Sequence, residues 1–315
     1  MPQIHRFDRD QPDFPALIGR FRAILDEQPG RMSVGELFDD MVETAAELAV
    51  DRHLVFDWEL VEAGWNGPAV RAAIARREAA FGPDRWPTAV LSNHDQPRHA
   101  TRLAASAGAA DLDAVARAAA VLLLTLRGTP FVYYGEELGL GDVDVPAIES
   151  VDPPAARAGP DFTWWDRSRS RTPMPWTTGP GAGFTTGRPW LRLGPDAASR
   201  NVAVQAGTPG STLSLYRRLI ALRASSPALQ VGSLELDPAD GDVVAYVREA
   251  AGQHLLVVLN LGRGPAAWPL AGRPGGDRWR ILLTTAAGSQ DETEREAAPV
   301  LEIGPDEAVI LERLG

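Results

Sequence analysis

The chain has 315 residues, 44% of them hydrophobic, enough for a large domain with a smaller companion. A formal net charge of -11 and a pI near 5.0 give a surface that repels phosphate, which argues against nucleic acid and anionic membranes as partners. The absence of cysteine excludes disulfides and thiolate metal sites, and no apolar run reaches the roughly 18 residues of a membrane-spanning helix.

All the basic residues are arginines, since lysine does not occur. The start, "MPQIHRFDRD", is polar and lacks a signal-peptide core, so a soluble cytoplasmic chain is expected. "DFPALIGRFRAILDEQPG" carries Phe14, Leu17, Ile18, Phe21, Ile24 and Leu25 at helical spacing, with Asp13 as N-cap and Pro29-Gly30 as a stop. "RMSVGEL" reads as a short strand ending near Glu36, and a short helix runs from about Met41 to Leu48. His53 to Leu60 reads as a second strand, and "PAVRAAIARREAAF" as a helix. "TAVLSN" is a third strand, "LDAVARAAAVLLLTLRG" a helix apolar on most faces, and "TPFVYYGEELGL" holds a fourth strand. The stretch 141–201, rich in Pro, Gly and Trp, is too long for a simple connection and reads as a functional loop over a site. "STLSLYRRLIALRASSPAL" is a serine-capped helix, with a proline just past its end.

Short buried strands alternating with helices predict a parallel sheet covered by helices. No glycine-rich turn follows the first strand, which disfavours an open dinucleotide-binding sheet. Polar residues instead end several strands: Glu36 on one, Asp57 on another, and Asn93, His94 and Asp95 on a third. That is the distribution of a (β/α) barrel. Only four such strands are present, whereas a barrel of this kind closes with eight, so the pattern is that of the second half of a barrel. The expected division is residues 1–230 for the half-barrel and 231–315 for a small antiparallel β domain of sandwich type. Its strands are "DVVAYVRE", "HLLVVLNL", "RWRILLTT" and "EAVILERL".

Glu36 and Asp95, both just past buried strands, can face one pocket. Paired carboxylates are the machinery of glycoside hydrolysis, one delivering a proton and the other staying charged; carboxylates at strand ends also cap the helices that follow. His94 can bind a sugar hydroxyl or be satisfied by nearby backbone. Arg98 can clamp a hydroxyl or, as an isolated residue, lie solvated on the surface. Trp164, Trp165 and Trp176 suit sugar faces, or pin the loop to the barrel. Phe131, Tyr133 and Tyr134 are expected in the sheet interior, and Glu136 and Glu137 capping or solvating a turn. No second ligand stands at metal spacing from His94, so neither metal nor cofactor is expected.

"VLSNHDQPR", "SVGEL", "GTPFVYYGEELGL" and "RTPMPW" together resemble ordered motifs of the α-amylase superfamily, glycoside hydrolase family thirteen, in its α-glucosidase and oligo-1,6-glucosidase branch. "NVAVQ" and "SLYRRLIALRASSPAL" match the same branch, and the resemblance runs from about His5 to Gly262. It implies the C-terminal half, strands five to eight, of a TIM (β/α)8 barrel. It also implies a retaining glycosidase acting on short α-linked gluco-oligosaccharides. Glucosyl transfer of sucrose or trehalose type, or a non-catalytic sugar-binding fragment, are the alternatives. On this resemblance Glu36 is the general acid/base, Asp95 the transition-state stabiliser, and His94 and Arg98 substrate-binding residues. The family's nucleophile, an aspartate ending the fourth strand, has no counterpart here, because Asp8 and Asp10 fall after its place. The chain alone is therefore expected to be inactive. Its expected partners are a missing N-terminal half-barrel or a second copy of itself.

Overall fold

The computed structural model describes residues 11–37, 42–49, 52–108, 111–158, 166–272, 276, 278–286 and 295–314. Helix α1 spans Phe14–Asp26 with Pro15 in its first turn. Asp13 precedes it in helical conformation and makes no capping bond, so the predicted N-cap is not one: its side chain cannot reach back from that geometry. Strand β1 is Val34–Gly35, α2 Val42–Leu48, β2 Leu54–Val55 and α3 Glu59–Glu62. The predicted strand from His53 to Leu60 thus shrinks to two residues. Asp57 ends it by accepting the Glu59 amide at 3.0 Å, which starts α3.

Helix α4 spans Gly67–Phe81 and is capped by Asn66, whose Oδ1 accepts the Ala69 amide at 2.9 Å. Strand β3 (Thr88–Val90) leads to α5 (His99–Ala107), α6 (Leu112–Thr125) and β4 (Thr129–Phe131). The N-terminus of α6 is satisfied by Asp111, which accepts from Asp113 and Ala114. Every residue of α6 from Val115 to Thr125 is buried, as its all-round apolar pattern predicts.

β1 pairs in parallel with β2, and β3 in parallel with β4. Thr88 stitches the two pairs together: its hydroxyl donates to the Val55 carbonyl and accepts the Asp57 amide, each at 3.1 Å. Arg77 of α4, 0% exposed, donates to the Thr88 carbonyl at 2.8 Å and to the Arg127 carbonyl, and pairs with Asp57 at 2.7 Å. A buried cation thus gathers backbone from both strand pairs.

The loop after β4 holds the short α7 (Pro153–Ala158) and several single turns, then α8 (Val202–Ala206), α9 (Thr212–Ser225) and α10 (Pro227–Val231). The predicted serine cap of α9 is Ser211, whose Oγ accepts the Ser214 amide. Strands β5 (Ser233–Asp237), β6 (Val243–Ala250), β7 (Gln253–Asn260), β8 (Ala266–Pro269), β9 (Trp279–Thr284), β10 (Arg295–Glu296), β11 (Val300–Ile303) and β12 (Glu307–Arg313) follow. Six form an antiparallel sheet in the order β10-β9-β12-β7-β6-β5, and β8 pairs with β11. One face of the sheet, with Val258, Trp279 and Leu311, packs against Trp268, Leu301 and Ile303 of the β8–β11 ribbon. The other face, with Tyr246, Val257, Leu259 and Ile310, joins α6 in one buried cluster. Each fully buried side chain of this size contributes about 1.5–3 kcal/mol. The sheet therefore braces the helix that lies behind β3 and β4.

Candidate active site

β3 ends at Val90, and the polar residues beyond it are held in a tight loop. Asn93 Oδ1 accepts the amides of Asp95 and Gln96 at 2.9 and 2.8 Å, an Asx-type turn. The loop is closed at its base by Ser92, whose Oγ accepts the His99 amide at 2.9 Å and lies 3.0 Å from His99 Nδ1. Asp95 is carried outward on this loop, its side chain a quarter exposed. Its Oδ1 accepts from Arg167 Nη1 and Arg171 Nη2, both at 2.7 Å, and its Oδ2 lies 3.4 Å from His94 Nε2. His94 itself is exposed, and its carbonyl accepts from Arg171 Nε at 2.7 Å.

Both arginines come from the 141–201 stretch and reach the Asp95 loop. Arg167 is anchored by buried Asp152, through Nε at 2.9 Å, Nη2 at 2.7 Å and its own amide at 2.9 Å. This grip by Arg167 holds the Asp152 carboxyl below the usual carboxylate range, and chiefly Asp152 raises the Arg167 guanidinium. Tyr133 and Tyr134 are not interior sheet residues as expected. Their hydroxyls donate to the carbonyls of Ser170 (3.2 Å) and Thr172 (2.6 Å), so they bracket Arg171 and tie the loop down. Asp152, Arg167 and Arg171 were not singled out from sequence. Arg171 opens the "RTPMPW" motif, and the alternating cation run "DRSRSR" holds Arg167, while nothing local marks Asp152.

Glu36 stands just past β1 and is exposed. The next residue is fixed by Trp58, whose indole donates to the Leu37 carbonyl at 3.0 Å. One open cavity of about 470 Å³ is lined by Glu36, Leu37, Trp58, Asn93, Asp95 and Arg102. The two carboxylates nominated from sequence therefore border the same space. A smaller cavity of about 210 Å³ lies on the other side of Asp95, against Arg167, Arg169 and Asp142. Arg102 donates to the Leu91 carbonyl at 2.6 Å, and burial lowers its pKa to about 10. Two carboxyls bordering one cavity can divide the work of moving a proton and of meeting positive charge.

Arg98 is not a solvated surface residue: it is 1% exposed. Its amide donates to Asp142 Oδ1 at 2.8 Å and its Nη1 to the Tyr134 carbonyl at 2.6 Å, and its guanidinium lies over the Tyr133 and Tyr134 rings. The alternative of a direct clamp on a sugar hydroxyl is not what this placement offers, because the group is enclosed by the turn it supports. Glu137 caps that turn, accepting the Gly135 amide at 2.7 Å, as expected. Glu136 instead turns inward, 1% exposed and 3.6 Å from His99 Nδ1. Trp176 is 48% exposed, and its carbonyl accepts the Ala203 amide at 2.9 Å. Trp164 and Trp165, like Asp8 and Asp10, lie outside the described residues. Among the described residues no group of three or more His, Asp or Glu is placed to hold a metal, and no helix is long and apolar enough to cross a membrane.

Comparison with known proteins adds a frame to this geometry. The family of the α-amylase catalytic domain matches residues 2–232. A probable alpha-glucosidase of Rhizobium meliloti (strain 1021) is 34% identical over 264 residues, 82% of this chain and 47% of the relative. Probable oligo-1,6-glucosidase 2 of Bacillus subtilis (strain 168) is 34% identical over 58% of this chain and 36% of its own length. Among solved structures, the alpha-glucosyl transfer enzyme XgtA superposes with a TM-score of 0.83 at 33% identity, over 98% of this chain and 56% of that one. Trehalulose synthase MutB from Pseudomonas mesoacidophila MX-45 gives 0.79 at 27% identity, over 96% and 59%. These structures carry a TIM barrel and a C-terminal sheet domain. The chain spans 36% to 59% of the length of these relatives. With the sheet-braced strand ends, the paired carboxylates and a match across most of its length, the chain belongs to the α-amylase family of glycoside hydrolases, of which it represents the C-terminal part.

Proposed function

We propose that this chain supplies one half of the active site of a retaining α-glucosidase acting on short α-linked gluco-oligosaccharides. Its four strands correspond to strands five to eight of the barrel, with residues 1–230 as the catalytic portion and 231–315 as the bracing β domain. Glu36 is the general acid/base: it protonates the leaving oxygen and then takes a proton from water. Asp95 stabilises the positive charge that develops on the sugar ring, and His94 beside it binds a hydroxyl. Arg98 acts at one remove, by holding the turn whose Tyr134 anchors the loop. The observation that carries this reading is the single cavity bordered by Glu36 and Asp95. A retaining mechanism also needs an attacking carboxylate, and the family's motif for it is not found in this sequence. The partner that would supply it is an N-terminal half-barrel.

A second reading, glucosyl transfer, is favoured by the 33% identity and 0.83 TM-score with the alpha-glucosyl transfer enzyme. It uses the same carboxylates with a sugar hydroxyl in place of water.

The test is turnover of 4-nitrophenyl α-D-glucopyranoside by the chain alone, and by the chain co-expressed with the N-terminal half of the Rhizobium meliloti relative. The expected result is no turnover alone and turnover, abolished by Glu36→Gln, in the pair. Turnover by the chain alone that Glu36→Gln abolishes overturns the dependence on a partner. Turnover in the pair that survives Glu36→Gln overturns the role of Glu36.

A further inference from the structure

The outer part of the long loop carries a groove that the paired carboxylates do not use. It has a volume of about 660 Å³ and is lined by Ile148, Glu149, Ser150, Arg188, Trp190 and Arg192. That size falls within the roughly 300–1,000 Å³ of small-molecule sites. Trp190 is 52% exposed, whereas Trp65, Trp268 and Trp279 are each 7% or less. Its ring is therefore not part of a core.

The polar wall is a surface ion pair, with the Arg192 and Glu149 side chains 40% and 37% exposed. Arg192 grips Glu149 with two bonds, Nε to Oε2 at 2.9 Å and Nη2 to Oε1 at 2.6 Å, and its Nη1 also reaches the Asp144 carbonyl at 3.3 Å. This fixes a planar pair of acceptor and donor beside the indole. Ile148, 93% exposed, and Val151, 49% exposed, add an apolar lip.

An indole face, an apolar lip and a fixed carboxylate–guanidinium pair match a pyranose, which has a C–H face and a rim of hydroxyls. The segment that lines this groove also supports the catalytic cavity. Ser150 Oγ lies 3.3 Å from Ser168 Oγ, and Asp152 anchors Arg167 on Asp95.

We propose that the Trp190 groove is a second saccharide site, binding α-linked gluco-oligosaccharides separately from the Glu36–Asp95 cavity. For its substrate class this rests on the function proposed above, but its test needs no turnover.

The experiment is calorimetric titration of the full chain with maltohexaose. Wild type is expected to bind, with Trp190→Ala weakening binding about tenfold and Trp190→Phe keeping it within about threefold. Arg192→Leu, which dismantles the polar wall, gives a similar loss, so the result does not hang on one variant. Asp95→Asn keeps the binding. No binding by wild type, equal binding by Trp190→Ala, or loss in Asp95→Asn instead overturns the proposal. Turnover in the paired halves without Trp190-dependent binding sinks this inference alone. Trp190-dependent binding without turnover sinks the catalytic reading alone.

Discussion

Arg167 Nη1 and Asp95 Oδ1 lie 2.7 Å apart although 72 residues separate them in the chain. The contact joins the loop beyond β3 to the long loop beyond β4, and Arg167 can make it only because Asp152 holds the rest of its guanidinium. Both side chains of the pair are about a quarter exposed, so water screens the contact but does not replace its geometry. Arg167→Ala is expected to cost about 1.5–3 kcal/mol, the range for hydrogen bonds to charged groups. Urea denaturation reads the loss. Hydrogen exchange should rise first in residues 166–172 and 92–97, and unchanged protection there would refute the coupling.

The Asp152 anchor makes this loop sensitive to acid. Its carboxyl is lowered from 3.8, first by the hydrogen bond from Arg167, so the charged form is favoured in the fold. A depressed carboxylate stabilises the fold above its unfolded pKa, and that contribution disappears as pH falls through the folded value. Asp152→Asn should therefore lose stability relative to wild type at neutral pH, and the two should converge as pH falls below the ordinary carboxylate range and through the lowered folded value. Denaturation midpoints of both proteins across that range check the sign. A gap that widens toward acid would be the opposite of what the ion pair requires.

Periodic and capped features were legible in the sequence. The buried α6 and the Ser211 cap of α9 follow from patterns within a single element. Glu36 directly follows β1, a local event, whereas Asp95 lies beyond β3 in the turn that Asn93 closes. Contacts across the fold were not legible. β1 and β2 are two residues each, too short for alternation to mark their ends. Arg98 looks like any exposed arginine until the Tyr133 and Tyr134 rings are placed over it. Tyr133 and Tyr134 were expected in the sheet interior, but their hydroxyls find loop carbonyls instead.

Arg77 gives a sharper stability test, because it is enclosed with Asp57. Burial lowers the Arg77 pKa and raises that of Asp57, yet their ion pair at 2.7 Å and the backbone acceptors around Arg77 keep the arrangement together. Removing one partner strands the other without compensation. Arg77→Leu should cost about 3–5 kcal/mol. Adding Asp57→Asn, which removes the stranded charge, should recover part of that loss. A double-mutant cycle by urea denaturation measures the coupling, and strictly additive losses would show that the pair is not the unit that matters.

Gly135 links backbone conformation to the position of Arg98. It adopts φ +87, and an added Cβ would lie 2.6 Å from Leu140 Cδ1 and 2.9 Å from Arg98 Nη1. Gly108 also has positive φ, at +60, but a Cβ there meets nothing within 4 Å. Gly108→Ala therefore carries only the conformational cost, about 1 kcal/mol. Gly135→Ala carries that cost and also pushes Arg98 away from the Tyr134 carbonyl, now 2.6 Å from it, while Tyr134 holds Thr172 beside Arg171. The expected outcome is a larger loss of stability for Gly135→Ala than for Gly108→Ala. Faster hydrogen exchange should appear in residues 170–174 for the former only. Equal losses, with exchange in the loop unchanged, would mean that Arg98 does not transmit the position of this turn to the arginines that hold Asp95.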